Sequence, residues 1–138
     1  HSQANLALID FQDAVVGAVT YDLVSLLRDC YVAWPADVVD DLMHYAFTLF
    51  QTEGIISSTV DIKLFRRWFD FMGLQRHTKA SGIFARLYHR DGKGRYLDDI
   101  PQTLRYIVQV AKQYPELHEY GGWVEEKVIP QLEQRQTL

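Results

Sequence analysis

The sequence predicts a mainly α-helical protein of one domain that begins with a single short β-strand. Apolar residues recur at spacings of three and four along most of its 138 residues, and prolines and glycines stand between these stretches. The apolar run at residues 6–9, directly before Asp10, is too short for a helix and predicts a buried strand. A chain of this length with 48% apolar residues suits one compact core.

The first helix is expected over residues 21–33. Thr20 is placed to accept a hydrogen bond from a free amide of the first turn, and Asp22 suits the positive end of the helix. The expected apolar stripe consists of Leu23, Leu26, Leu27 and Cys30.

The second and third helices follow from proline, glycine and serine signals. Trp34-Pro35 ends the first helix and opens the second, which should reach about residue 53, with Gly54 closing it. Ser57 or Ser58 is expected to cap a third helix, which is apolar almost all round and therefore central. This helix should continue as far as the turn Asp91-Gly-Lys-Gly94.

Two further helical stretches complete the predicted bundle. One begins near Pro101, and its apolar side consists of Leu104, Ile107, Val108 and Ala111. The last follows residues 121–122 and should bend at Pro130.

Composition excludes several classes of partner. The formal net charge of −4 provides no basic field to gather nucleic acid. The sequence contains no apolar run of about 18 residues, so it predicts no membrane span. The single cysteine, Cys30, cannot form an internal disulfide and falls on an apolar stripe, so we expect a packed thiol in a reducing cytoplasm.

Asp10 is the main candidate for chemistry. A carboxylate at the end of a buried strand is held by a rigid element, and oxygen ligands of this kind suit a hard cation such as Mg²⁺. An aspartate after a strand is also a common turn former. The residues alone leave both interpretations open.

The segment LIDFQDAVVGAVTYDLVSLL resembles the I-D-F/W-x-x-A…G…x-Y-D-L-A segment of the aminoglycoside phosphotransferase family, which has a protein-kinase-like fold. Two more segments, TYDLVSLLRDCYVAWP and GLQRHTKASGIFARLYHRDGKGRYLDDIP, resemble its branch of bacterial anomeric sugar kinases. That branch transfers the γ-phosphoryl group of ATP to the anomeric hydroxyl of N-acetylmuramate or N-acetylglucosamine during cell-wall recycling. The resemblance covers most of residues 6–115.

The resemblance implies roles for three polar residues. Asp10 would bind the Mg²⁺ that bridges the ATP phosphates, Asn5 would occupy the second metal position, and Asp22 would brace the catalytic loop. The family's H-x-D-x-x-x-x-N loop and nucleotide-binding lobe precede this strand, yet only nine residues precede Asp10. Residues 1–138 are therefore expected to be a partial C-terminal lobe that contains no catalytic residue and is inactive alone. Its missing N-terminal lobe is the expected partner, and an uncovered apolar face would make the isolated chain self-associate.

Contacts to the amino sugar are expected from polar and aromatic residues that interrupt apolar stretches. Arginine suits a lactyl carboxylate, and an aromatic ring suits the face of a sugar. The candidates are Arg76, His77, Arg86, Asp29 and Trp34.

Two other functions remain open at this point. The acceptor of the same fold could be an aminoglycoside or another hydroxyl compound, in which case a cleft lined by carboxylates is expected. A non-catalytic helical interaction domain is the second alternative.

Overall fold

The computed structural model describes residues 14–136, of which 76% are helical, with no strand among them. The prediction of a mainly α-helical fold is confirmed. The predicted strand at residues 6–9 lies outside the described residues.

Helix α1 spans Tyr21–Leu27 and is shorter than predicted. It ends early because the Asp29 carboxylate accepts hydrogen bonds from the backbone N–H groups of Tyr31 (2.6 Å) and Val32 (3.1 Å). A turn closed by an aspartate side chain in this way gives the backbone N–H groups partners other than the carbonyls of a helix. The capping role predicted for Thr20 was wrong, since its hydroxyl donates to the carbonyl of Trp68 at 3.4 Å.

The buried side of α1 also differs from the predicted stripe. Val24 and Leu27 are buried, whereas Leu26 is 68% exposed. Cys30 lies beyond the end of the helix, half-buried against apolar neighbours, as expected for a packed thiol. The predicted burial of Leu26 was wrong, because the helix ends one residue later and buries only the side that carries Val24 and Leu27.

Helix α2 spans Ala36–Thr52 and begins directly after Pro35, close to its predicted bounds. Gly54 follows it with φ 67°, the left-handed conformation expected at a helix end. The buried positions are Val39, Met43 and Ala46.

Helix α3 spans Ile62–Asp91 and is the central element, as predicted. The Asp61 carboxylate accepts a hydrogen bond from the N–H of Leu64 at 2.7 Å and caps the helix, so the prediction of Ser57 or Ser58 was wrong. Gly92, with φ 64°, ends the helix within the predicted charged turn.

The C-terminal part packs against the second half of α3. Pro130 cannot donate a backbone hydrogen bond, and the helix widens to a π-turn just before it, with the Ile129 N–H bonded to the Val124 carbonyl. The elements are a 3₁₀ turn at Gly94–Asp99, α4 at Ile100–Ala111, a 3₁₀ turn at Pro115–Leu117, α5 at His118–Trp123, the π-turn at Val124–Val128 and α6 at Ile129–Gln136.

Two apolar clusters form the core. The first joins α1 and α2 to the first half of α3 and includes Val24, Met43, Phe65 and Phe69. The second joins the rest of α3 to α4 and the π-turn and includes Phe84, Leu104, Ile107 and Val124. Between Phe69 and Phe84, α3 buries Asp70, Gly73 and His77, so a polar layer separates the clusters.

Candidate functional site

The residues expected to bind metal, Asp10 and Asn5, lie outside the described part of the chain. Within residues 14–136, no group of three or more His, Cys, Asp or Glu side chains could hold a metal ion. The metal assignments therefore stay predictions.

Asp22 lies in the first turn of α1 with its side chain exposed. An acidic residue at this end of a helix is favoured by the helix dipole. Its predicted role as a brace of the catalytic loop stays a prediction.

A buried ion pair links the end of α1 to the middle of α3. Arg28 Nη2 lies 2.6 Å from Asp70 Oδ1, and the two side chains are 13% and 0% exposed. The Tyr114 hydroxyl donates to Asp70 Oδ2 at 2.6 Å. Burial, followed by this hydrogen bond, raises the pKa of Tyr114 above its ordinary value. One carboxylate thus joins α1, α3 and the segment after α4.

His77 belongs to the same layer and is fully buried. Its Nε2 lies 2.9 Å from the Arg28 carbonyl, its ring stacks on Tyr106 at 4.6 Å between centroids, and its buried Nδ1 has no hydrogen-bond partner among residues 14–136. Burial is the main cause that lowers the pKa of His77 to about 4. His77 is therefore a neutral group that holds the end of α1, and its predicted contact with a sugar stays a prediction.

The other two basic candidates lie apart along α3. The Arg76 guanidinium lies 4.4 Å from the centre of the Tyr21 ring, near the start of α1. Arg86 is exposed and lines none of the cavities that involve α1. The structure therefore does not bring Arg76 and Arg86 together, and their sugar contacts stay predictions.

Asp29 and Trp34 belong to the loop between α1 and α2. The half-buried Asp29 carboxylate accepts two backbone hydrogen bonds of this loop, so it shapes the loop. Burial and the charge of Asp29 raise the pKa of the Cys30 thiol, which is the opposite of activation. Trp34 is 49% exposed and faces a cavity.

This cavity, called below the Trp34 cavity, has a volume of about 440 Å³. It lies between the loop, α2, α3 and α4, and includes Arg28 from the buried ion pair. Tyr106, which stacks on His77, forms part of its wall. The polar layer and the Trp34 cavity are thus continuous.

A second cavity, called below the N-terminal cavity, lies beside the start of α1 and has a volume of about 470 Å³. Its lining is almost wholly apolar: Ala18, Val19, Thr20, Trp68, Phe71 and Met72. It adjoins residues 18–20, where the described chain begins its first helix.

Sequence reasoning missed Asp70, Tyr106 and Tyr114. One signal was present for Asp70, because a carboxylate inside the aromatic run Trp68-Phe-Asp-Phe-Met72 must be paired if that helix is central. The two tyrosines carry no such signal, since aromatic residues at helical spacing are indistinguishable from ordinary core.

Comparisons with known proteins identify a related family and several related bacterial proteins. Residues 2–55 match the model of the phosphotransferase enzyme family. No helix of the described chain is both long enough and apolar enough to cross a membrane.

Most of the chain is similar in sequence to kinases of two bacteria. It is 46% identical over 111 residues to the N-acetylmuramate/N-acetylglucosamine kinase of Neisseria meningitidis serogroup B, covering 80% of this chain and 33% of that protein. It is 44% identical over 125 residues to the kinase of the same name from Pseudomonas putida, covering 91% of this chain and 37% of that protein. The chain thus spans about a third of the length of these relatives. No solved structure gives a significant match.

Proposed function

We propose that this chain is the helical C-terminal part of an ATP-dependent kinase that phosphorylates the anomeric hydroxyl of N-acetylmuramate or N-acetylglucosamine. The observation that carries the proposal is the 46% and 44% identity to kinases of that name, which extends over 80% and 91% of the chain. This identity therefore extends beyond residues 2–55 to α3, where residues that determine the acceptor would lie.

The proposed chemistry is phosphoryl transfer, which depends on positioned oxygens and on compensation of negative charge. Asp10 would hold Mg²⁺ together with groups supplied by the upstream lobe, and an upstream carboxylate would accept the proton of the sugar hydroxyl. When bound, the metal offsets the charge of the transferred phosphoryl group. The contribution of the described residues is to position α1, and with it the segment that leads from Asp10.

The N-terminal cavity supports the presence of an upstream lobe. Its lining is apolar, and Trp68 within it is 37% exposed. Val15 and Val16, a few residues earlier in the chain, are almost wholly exposed, and such an apolar surface is unusual in contact with water. We propose that the nucleotide-binding lobe covers this surface. Without that lobe, the same surface would favour self-association of the isolated chain.

The test is a coupled ADP-release assay on the complete polypeptide with Mg²⁺, ATP and each amino sugar. Asp10→Ala should reduce turnover at least about 1,000-fold, because it removes a metal ligand at the reacting phosphates. Asp13→Ala, a neighbouring carboxylate, is the matched control and should retain activity. Circular dichroism and urea unfolding should show that both variants fold as the parent does.

The outcome that contradicts the proposal is turnover by residues 1–138 alone, or full activity of Asp10→Ala. An aminoglycoside acceptor is the alternative, and it is favoured if kanamycin stimulates ADP release while both amino sugars do not. The reaction is assigned to the cytoplasm, where ATP is available and the unpaired Cys30 stays reduced.

A further inference from the structure

The Trp34 cavity combines an aromatic surface with uncommitted polar groups. Trp34, Tyr106 and Gln109 all belong to its lining, and they carry an indole N–H, a hydroxyl and a side-chain amide. None of these three groups makes a hydrogen bond to another residue within 14–136. At about 440 Å³, the cavity is within the roughly 300–1,000 Å³ typical of small-molecule sites.

The charged side chains of the cavity are already paired. Arg28 is bound to Asp70 through Nη2, and its Nη1, which has no hydrogen-bond partner among the described residues, is buried and out of reach of a ligand. Arg66 Nη1 lies 2.8 Å from Asp40 Oδ1. A ligand with a carboxylate or phosphate would therefore compete with an existing ion pair. The groups left for a ligand are neutral donors and acceptors on rigid or planar side chains, which favours a neutral ligand with many hydroxyl and amide groups.

Three features restrain Trp34 and Tyr106 before any ligand binds. The Asp29 carboxylate fixes the loop through the N–H groups of Tyr31 and Val32. Pro35 restricts the backbone directly after Trp34 and starts α2. The Tyr106 ring is stacked on buried His77 with an angle of 9° between the rings. A site whose groups are already ordered loses less conformational entropy on binding.

We propose that the Trp34 cavity binds the pyranose ring of a neutral N-acetylamino sugar, with the indole of Trp34 against the apolar face of the ring. Tyr106 and Gln109 exchange hydrogen bonds with its hydroxyl and acetamido groups. The choice of an amino sugar rests on the proposed function, whereas the preference for a neutral polyhydroxylated ring rests on the cavity. The lactyl carboxylate of N-acetylmuramate is not recognised by this cavity.

The test is isothermal titration of N-acetylglucosamine and N-acetylmuramate into the complete polypeptide without nucleotide. Trp34→Ala should raise both dissociation constants at least about tenfold, and Gln109→Leu about threefold to tenfold, by equal factors for the two sugars. Trp34→Phe should recover most of the affinity because a ring remains. Trp123→Ala is the matched control, since Trp123 is 56% exposed and belongs to another cavity.

Binding and turnover separate this proposal from the proposed kinase. Sugar binding that Trp34→Ala removes, in a protein that releases no ADP, supports the cavity and overturns the kinase. Turnover with an unchanged KM for the sugar in Trp34→Ala and Gln109→Leu supports the kinase and overturns the cavity. Absence of sugar binding, or a loss in Trp34→Ala confined to N-acetylmuramate, also overturns the cavity.

Discussion

Arg28 at the end of α1 and Asp70 in the middle of α3 form an ion pair of 2.6 Å at the boundary between the two apolar clusters. The Arg28 guanidinium also lies 4.6 Å from the centre of the Phe69 ring, and its backbone carbonyl bonds to His77. α1 is too short to be stable alone, since isolated helices need about 12–15 residues. Its position is therefore determined by these contacts with α3.

Removal of Asp70 should be strongly destabilising. Asp70→Ala leaves the Arg28 guanidinium buried without its partner, and the expected loss is about 3–5 kcal/mol in the free energy of unfolding. Urea unfolding measures it. The triple variant Arg28→Met, Asp70→Leu and Tyr114→Phe should recover most of the loss, because it replaces both charges and the hydroxyl bonded to Asp70 with apolar groups of similar size.

The exposed pair Arg66–Asp40 provides the comparison for this prediction. Its side chains are 30% and 52% exposed, so Asp40→Ala should change the free energy of unfolding by less than about 1 kcal/mol. Equal losses in Asp70→Ala and Asp40→Ala would contradict the role assigned to the buried pair.

Tyr114 should stabilise the fold as a hydrogen-bond donor, and its hydroxyl should ionise only at a higher pH than an ordinary tyrosine. Tyr114→Phe removes its 2.6 Å bond to a carboxylate, with an expected loss of about 1.5–3 kcal/mol. Because the pKa of Tyr114 is raised in the folded protein, its stabilising contribution is complete below pH 10 and declines as the pH rises above it. Spectrophotometric titration near pH 11 should show fewer ionised tyrosines in the folded parent than after unfolding, and a smaller difference in Tyr114→Phe. Identical titrations of the parent and Tyr114→Phe would contradict this assignment.

Local pattern was sufficient for the extents of α2, α3 and α4, because apolar spacing is set by neighbouring residues and because a glycine follows α2 and α3. It failed at the end of α1. There the Asp29 turn competes with the helix, and contacts to α3 determine which side is buried. Tertiary contacts decide a boundary when the local preferences for helix and turn are similar.

The candidate site depends almost wholly on distant pairs. Tyr114 reaches Asp70 across 44 positions, and His77 reaches the Arg28 carbonyl across 49. No spacing rule connects such residues. The sequence nevertheless marked His77 as a polar residue that interrupts an apolar stretch, and the structure buries it between the two apolar clusters. A residue type that is unusual for its surroundings is therefore the signal that a sequence offers.

The adjacent glycines of α5 should respond in opposite directions to alanine. A Cβ at Gly121 would lie 2.5 Å from the Cβ of Ala111, whereas a Cβ at Gly122 would meet nothing within 4 Å. Gly121→Ala should therefore destabilise by about 1–3 kcal/mol, and Gly122→Ala should stabilise by up to about 1 kcal/mol through helix propensity. Thermal unfolding measures both. Ala111→Gly should rescue Gly121→Ala, and failure of that rescue would place the clash elsewhere.

His77 should make the protein less stable in mild acid. Its pKa falls from 6.5 to about 4 on folding, so between these values the unfolded chain binds a proton that the folded chain excludes. The contribution of His77 to the free energy of unfolding is fully present above pH 6.5. It declines by roughly 2–3 kcal/mol as the pH falls towards 4. The cause is structural: a proton on Nδ1 would be a buried donor with no acceptor among the described residues. Urea unfolding at pH 7.5 and 5 measures the slope, which His77→Gln should remove and exposed His118→Gln should keep. A slope that survives in His77→Gln would show that the pH dependence arises from other groups.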